Sequence, residues 1–120
     1  MYANTNKFLY DLASHDEAIK LTQNEVAILK HLKDKDNYGA KIIEAFWDAC
    51  EGKKYVSGGT IYPALNKLAE KGFLAKYEQD SDLDKRRGKN KFMYSITPKG
   101  RSALKVLDIF FARVEKYEEL

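Results

Sequence analysis

The sequence predicts a mainly α fold (α+β) with a small β-hairpin, the arrangement of a winged helix-turn-helix, with an extra helix at each end. Three observations predict it. Three amphipathic segments between residues 22 and 71 carry start or stop signals of their own. Two short runs rich in aromatic and apolar residues, 73–78 and 92–96, follow them. The charged loop between those runs has five cations among the seven residues 85–91.

In chain order, Phe8, Leu9, Leu12, Ala13 and Ile19 predict a short amphipathic helix over 7–19. Thr22-Gln23-Asn24-Glu25 is a capping-box pattern: the hydroxyl accepts from a free backbone N–H and the carboxylate reaches back to the cap. Val26, Leu29 and Leu32 share one face of that helix, which is expected to end near Lys33. Asn37 is the expected cap of the next helix, over 38–51, with Ile42, Ile43, Phe46 and Cys50 as its stripe, Trp47 beside it and Gly52 as its stop. Ser57 opens a third helix to about Lys71, stopped by Gly72, with Ile61, Leu65 and Leu68 turned inward. Pro63 lies early in it, where few backbone bonds are yet required. The run 73–78 is a strand, and 92–96 a second, with Phe92, Tyr94 and Ile96 on one face. Thr97-Pro98 reads as an N-cap followed by proline at the first helical position, opening a last helix that runs to near Leu120. One compact unit is expected, composed of an accessory helix (1–20), a winged-helix domain (21–97) and a C-terminal dimerisation helix (98–120).

The 120 residues suit one domain, and 44% apolar with 32% charged content suits a soluble globular one. No apolar run approaches the ~20 residues needed to span a bilayer, and residues 1–10 do not read as a signal peptide. A lone Cys50 forms no internal disulfide, which favours the reducing cytoplasm. The net charge of +3 and pI of about 8.8 are mild. Their distribution is not: residues 53–101 hold twelve Lys and Arg against five Asp and Glu, while the flanks are net acidic. Such segregation fits a phosphate-backbone footprint, or equally a solvated surface with chance clustering.

With Ile61, Leu65 and Leu68 inward, helical geometry turns Thr60, Pro63, Asn66, Lys67 and Glu70 outward. Residues near the start of such a helix can enter the DNA major groove, where Asn and Lys read base edges. The helix start offers free N–H groups to a phosphate, and Gly58 and Gly59 permit close approach. Ser57 and Thr60 add hydroxyl donors, and Tyr62 either bonds a phosphate or packs against the wing. Arg86, Arg87, Lys89 and Lys91 on the wing suit backbone or minor-groove contact. Asp80, Asp82 and Asp84 in the same loop either hold those cations or repel DNA. Lys41 and Tyr38 are further phosphate candidates, Tyr38 being equally a core candidate.

Tyr38-Gly39, Ser57-Gly58-Gly59-Thr60-Ile61-Tyr62-Pro63-Ala64-Leu65, Gly72-Phe73-Leu74, the basic wing and Thr97 together resemble the PadR family of transcriptional regulators over about 21–104. The resemblance implies double-stranded DNA as partner, repression of a promoter, and dimerisation through the C-terminal helix. The accessory N-terminal segment with a single C-terminal helix further resembles the period-extender subgroup, regulators of clock genes.

On the last helix, Leu104, Leu107, Phe111 and Val114 follow a heptad-like spacing, widened by Ala103, Phe110 and Tyr117. That face is too wide for one small domain, so a homodimer is expected, joined by Phe8 and Leu12; the alternative is packing between the first and last helices. Two recognition helices would then meet a near-palindromic operator with half-site centres ~34 Å apart. A small apolar effector in the seam, beside Phe110, Phe111 and Tyr117, is a competing function, and a protein-interaction module another. No cofactor or metal is expected: His15, His31 and Cys50 lack zinc spacing, and Gly58-Gly59 lacks P-loop context. Ser14-His15-Asp16 spells a triad, but neighbouring helical side chains diverge by about 100°, so no catalysis is expected.

Overall fold

The computed structural model describes residues 13–79 and 91–119. In order, the elements are α1 (His15–Ile19), α2 (Gln23–His31), β1 (Asn37–Tyr38), α3 (Gly39–Ala49), α4 (Gly58–Glu70), β2 (Leu74–Gln79), β3 (Lys91–Ile96) and α5 (Pro98–Glu115). Helices α2, α3 and α4 surround one core built on Ile28, Leu29, Ile42, Ile61, Leu65 and Leu68, each fully buried. Phe73, just before β2, and Leu74, Tyr94 and Ile96 of the sheet close the core. Helix α5 returns across α1, α2 and β3 and adds Ala103, Leu104 and Leu107.

Local chemistry accounts for most boundaries. Thr22 caps α2 with the full reciprocal box: its Oγ1 accepts from the Glu25 N–H at 3.1 Å, and Glu25 Oε1 accepts from the Thr22 N–H at 2.8 Å. Gly72, at φ +84°, ends α4 in the left-handed region. Thr97 caps α5 by accepting from the Gly100 N–H, and Pro98 is the first residue of that helix. The Thr97 hydroxyl also donates toward the carbonyls of Gly72 and Phe73, at 2.6 and 2.9 Å. The start of α5 is thus fastened to the turn that follows α4.

Five expectations need correction. The helix expected over 7–19 is broken at Ser14, which is extended (φ −73°, ψ 160°) and caps a separate helix, α1, in a capping box with Glu17. The letters that spell a triad are therefore a helix start; residues 7–12 lie outside the described residues. Asn37 does not cap α3. It pairs in β1 with Tyr94, and its Oδ1 accepts from the Tyr38 N–H, so Tyr38 occupies the cap position without a side-chain bond. The expected two-stranded hairpin is accordingly a three-stranded antiparallel sheet, ordered β1-β3-β2. Phe92 shares a face with Tyr94 and Ile96 but lies beyond the core, half exposed. Helices α3 and α5 end at Ala49 and Glu115, short of the expected Glu51 and Leu120; Leu120 is outside the described residues.

Helix α1 is held to α5 by a Glu17–Lys99 ion pair of 2.8 Å and by the Ala13 N–H donating to Ser102 Oγ. The Lys99 ammonium, then the Ser14 N–H, hold the Glu17 carboxyl below its ordinary value of 4.5. A depressed folded value means a stabilisation complete above the unfolded value and lost as pH falls through the folded one. Both side chains are part exposed, so Glu17→Gln is expected to cost under about 1 kcal/mol at neutral pH. Melts across the acid range check this: the difference between variant and parent should vanish once the carboxyl is protonated.

Candidate nucleic-acid interface

Helix α4 exposes one continuous polar face. Its N-cap Ser57 is extended (φ −129°) and its side chain makes no capping bond. The Thr60 and Ile61 N–H groups both donate to the Ser57 carbonyl. The first N–H groups of a helix have no partner inside it, so those of Gly58 and Gly59 are the ones offered outward. Thr60, Tyr62, Pro63, Asn66, Lys67 and Glu70 are exposed, while Ile61, Leu65 and Leu68 are buried as the spacing required. Pro63 is the sixth residue of α4, past the first turn, so the Gly59 carbonyl loses its i+4 donor.

Tyr62 has a packing role on the side of α4 that faces α3. Its ring lies against Gly39 and Gly58; a Cβ at Gly39 would sit 2.8 Å from Cζ, and one at Gly58 3.2 Å from Cδ2. Gly39 is therefore needed because a tyrosine of α4 covers its backbone. Tyr62 remains 43% exposed, so the same ring that packs also reaches the surface.

Beside α4 and Tyr62 lies a cleft of about 340 Å³ walled by Tyr38, Asn66, Lys76, Lys91, Phe92 and Tyr94. Lys76 Nζ stands 4.5 Å from the Phe92 ring centroid and 5.9 Å from that of Tyr94. Lys91 Nζ stands 4.6 Å from the ring of Tyr38. These rings hold two cations next to the outward face of α4. Lys76 was not among the sequence-predicted residues. It was visible only through the strand register, in which it pairs with Tyr94. On the far edge, Tyr77 Oη donates to Asp36 at 2.6 Å, and that bond raises the Tyr77 pKa. Burial raises that of Tyr94.

Other predicted residues are placed differently. Lys67 Nζ lies 3.9 Å from Glu25 Oε2, a buried carboxylate, so part of its charge is engaged within the chain. Glu25→Ala removes the reciprocal cap and this partner at once, and is expected to cost about 1–2 kcal/mol, measurable by urea unfolding. Lys41 pairs with Glu44 at 3.4 Å on the surface of α3. His31 is half-buried with Nε2 3.1 Å from Asn37 Nδ2; burial, then Lys35, lowers its pKa. Arg86, Arg87 and Lys89 lie outside the described residues, as do Phe8 and Leu12.

The expected dimer seam divides on α5. Leu104 and Leu107 are buried within the chain itself. Phe111, Val114 and Tyr117 are exposed, by 59, 61 and 76%, as is Ile109. Phe110 is half-buried and meets Phe111 edge to face at 5.4 Å. An apolar groove of about 420 Å³ runs between α1 and α5, walled by Ile19, Val106, Ile109, Phe110, Val114 and Tyr117. Among the described residues, no helix is long and apolar enough to cross a membrane, and no His, Cys, Asp or Glu cluster has metal-binding form.

Residues 28–106 match the profile of the family described as transcriptional regulator PadR-like. No protein with a curated description matches the chain. Among solved structures, the chain is similar to a PadR-like transcription factor from Bacteroides fragilis, with 26% identity and a TM-score of 0.66 over 77% of this chain and 82% of that one. It is similar also to RosR of H. salinarum, with 28% identity and a TM-score of 0.61 over 86% and 84% of the two chains. A PadR family regulator from Clostridium difficile shares the fold at 23% identity and a TM-score of 0.63, over 79% of this chain and 93% of that one.

Proposed function

This chain belongs to the PadR-like family of transcriptional regulators, and from that premise we propose that it reads duplex DNA sequence-specifically as a homodimer and represses a promoter. The observation that carries the proposal is the exposed face of α4 with Thr60 and Asn66, set beside a cleft that holds Lys76 and Lys91. Thr60 and Asn66 take the base edges, and the free N–H groups of Gly58 and Gly59, with Ser57, take a backbone phosphate. Tyr38, Tyr62, Lys76 and Lys91 flank that helix as backbone contacts, joined by Arg86, Arg87 and Lys89 of the wing. Pro63 packs on the groove wall, and Lys41 and Lys67 add charge at the rim. The protein works in the cytoplasm, where its operator is.

Two copies meet through Phe110, Phe111, Val114 and Tyr117, with the N-terminal segment alongside. The support is the apolar surface that Ile109, Phe111, Val114 and Tyr117 leave exposed on α5. A non-enzymatic role follows the family. Repression and the clock-gene subgroup rest on the resemblance of the accessory segment and the recognition helix. Selection from a random duplex library at near-physiological salt tests the reading. Enrichment of an inverted repeat with half-site centres about 10 bp apart supports it; weak, salt-sensitive retention of every sequence counts against it.

The groove between α1 and α5 favours one second reading, an apolar effector that loosens DNA binding. Its volume of about 420 Å³ is within the range of small-molecule sites. Operator affinity that stays constant across a panel of apolar aromatic compounds would remove this reading.

A further inference from the structure

We infer that Lys99 is a positioning residue that couples the accessory helix α1 to the end of the recognition helix α4 and so sets the pose in which α4 meets DNA. The inference rests on the DNA-binding reading above. One ammonium joins three parts of the chain. Lys99 Nζ is 2.8 Å from Glu17 Oε2 of α1, donates at 2.8 Å to the carbonyl of Lys71, and lies 4.8 Å from the ring of the buried Phe73. Lys71 is the C-cap of α4, where carbonyls lack helical donors and a cation is favoured.

Glu17 is fixed before Lys99 meets it. Its Oε1 accepts from the Ser14 N–H and hydroxyl at 3.2 and 3.3 Å, closing the cap of α1, which leaves Oε2 for Lys99. Ser102, on the same turn of α5, accepts from the Ala13 N–H and holds the entry of α1. Among the described residues, no hydrogen bond or ion pair joins α1 to α4 directly, so the polar link between them runs through Lys99. Helix α4 is thirteen residues, about 20 Å long, and most of its DNA-facing residues stand toward the other end. A small tilt at Lys71 is therefore carried to Thr60 and Asn66.

Lys99→Gln, Lys99→Arg and Glu17→Gln test the coupling, with anisotropy measured on the selected operator duplex and on an unrelated duplex. Glu17→Gln keeps an acceptor for the α1 cap while removing the charge. Lys99→Gln is expected to weaken operator binding about five- to tenfold with unrelated-duplex binding unchanged; Glu17→Gln should lose less, and Lys99→Arg should keep the parent ratio. Partial unfolding lowers both affinities equally, so a fall in the ratio is not a stability effect. Parallel loss on both duplexes, or no loss, overturns the inference. A parent protein that binds no duplex selectively overturns the DNA reading itself.

Discussion

Gly100→Ala is expected to destabilise the protein by about 1–3 kcal/mol, although removing glycine from a helix ordinarily stabilises by about 1 kcal/mol. Gly100 is buried in the first turn of α5. A Cβ there would collide with the Phe73 carbonyl oxygen and lie 2.7 Å from Ile96 Cγ1. The carbonyl cannot retreat cheaply, because it accepts from both the Thr97 N–H at 3.1 Å and the Thr97 hydroxyl at 2.9 Å. Ile96 is itself packed in the core. A melting temperature lower by about 10 °C is the expected reading. At Gly59 the same change meets only Ser57 Oγ at 3.5 Å, and stability should stay level or rise by up to about 1 kcal/mol. A stabilised Gly100→Ala would mean that α5 does not start against the α4–β2 turn as described.

Replacing Lys76 and Lys91 together by glutamate is expected to abolish tight operator binding and to lower the slope of log affinity against log salt by about 2. Both ammonium groups stand on aromatic rings beside α4, which fixes them in place. Asn66→Ala should behave differently. The side chain is on the exposed face of α4, where an amide can contact a base edge, so about 1–3 kcal/mol should be lost at one operator position with the salt slope retained. Affinity titrations over a salt series, on the operator and on single-base variants, separate the two effects. An unchanged slope in the double variant would move the phosphate contacts away from the cleft; unchanged base preference in Asn66→Ala would do the same for its reading role.

Most features governed by neighbours a few residues apart were legible in the chain itself. The Thr22 box, the Gly72 stop, the Thr97-Pro98 start and the inward set Ile61, Leu65 and Leu68 all follow from helix geometry and unpaired end groups. The outward face of α4 followed from the same period, and so did most of the predicted reading residues. The box at Ser14 was equally local, but an apolar spacing that runs through Ala13 disguised it.

What depends on distant partners came from packing in three dimensions. Two residues have no readable period, so β1 exists because the edge of β3 offers Asn37 and Tyr38 backbone partners. Lys76 joins the cleft through register with Tyr94, a relation that alternation within one strand does not contain. Glu25, legible as a cap, also engages Lys67 from another helix. On α5, the apolar stripe did not reveal that Leu104 and Leu107 are used by the chain's own core while Phe111, Val114 and Tyr117 stay outside. Periodicity names the residues that must avoid water; the packing of the other elements determines which of them this chain covers by itself.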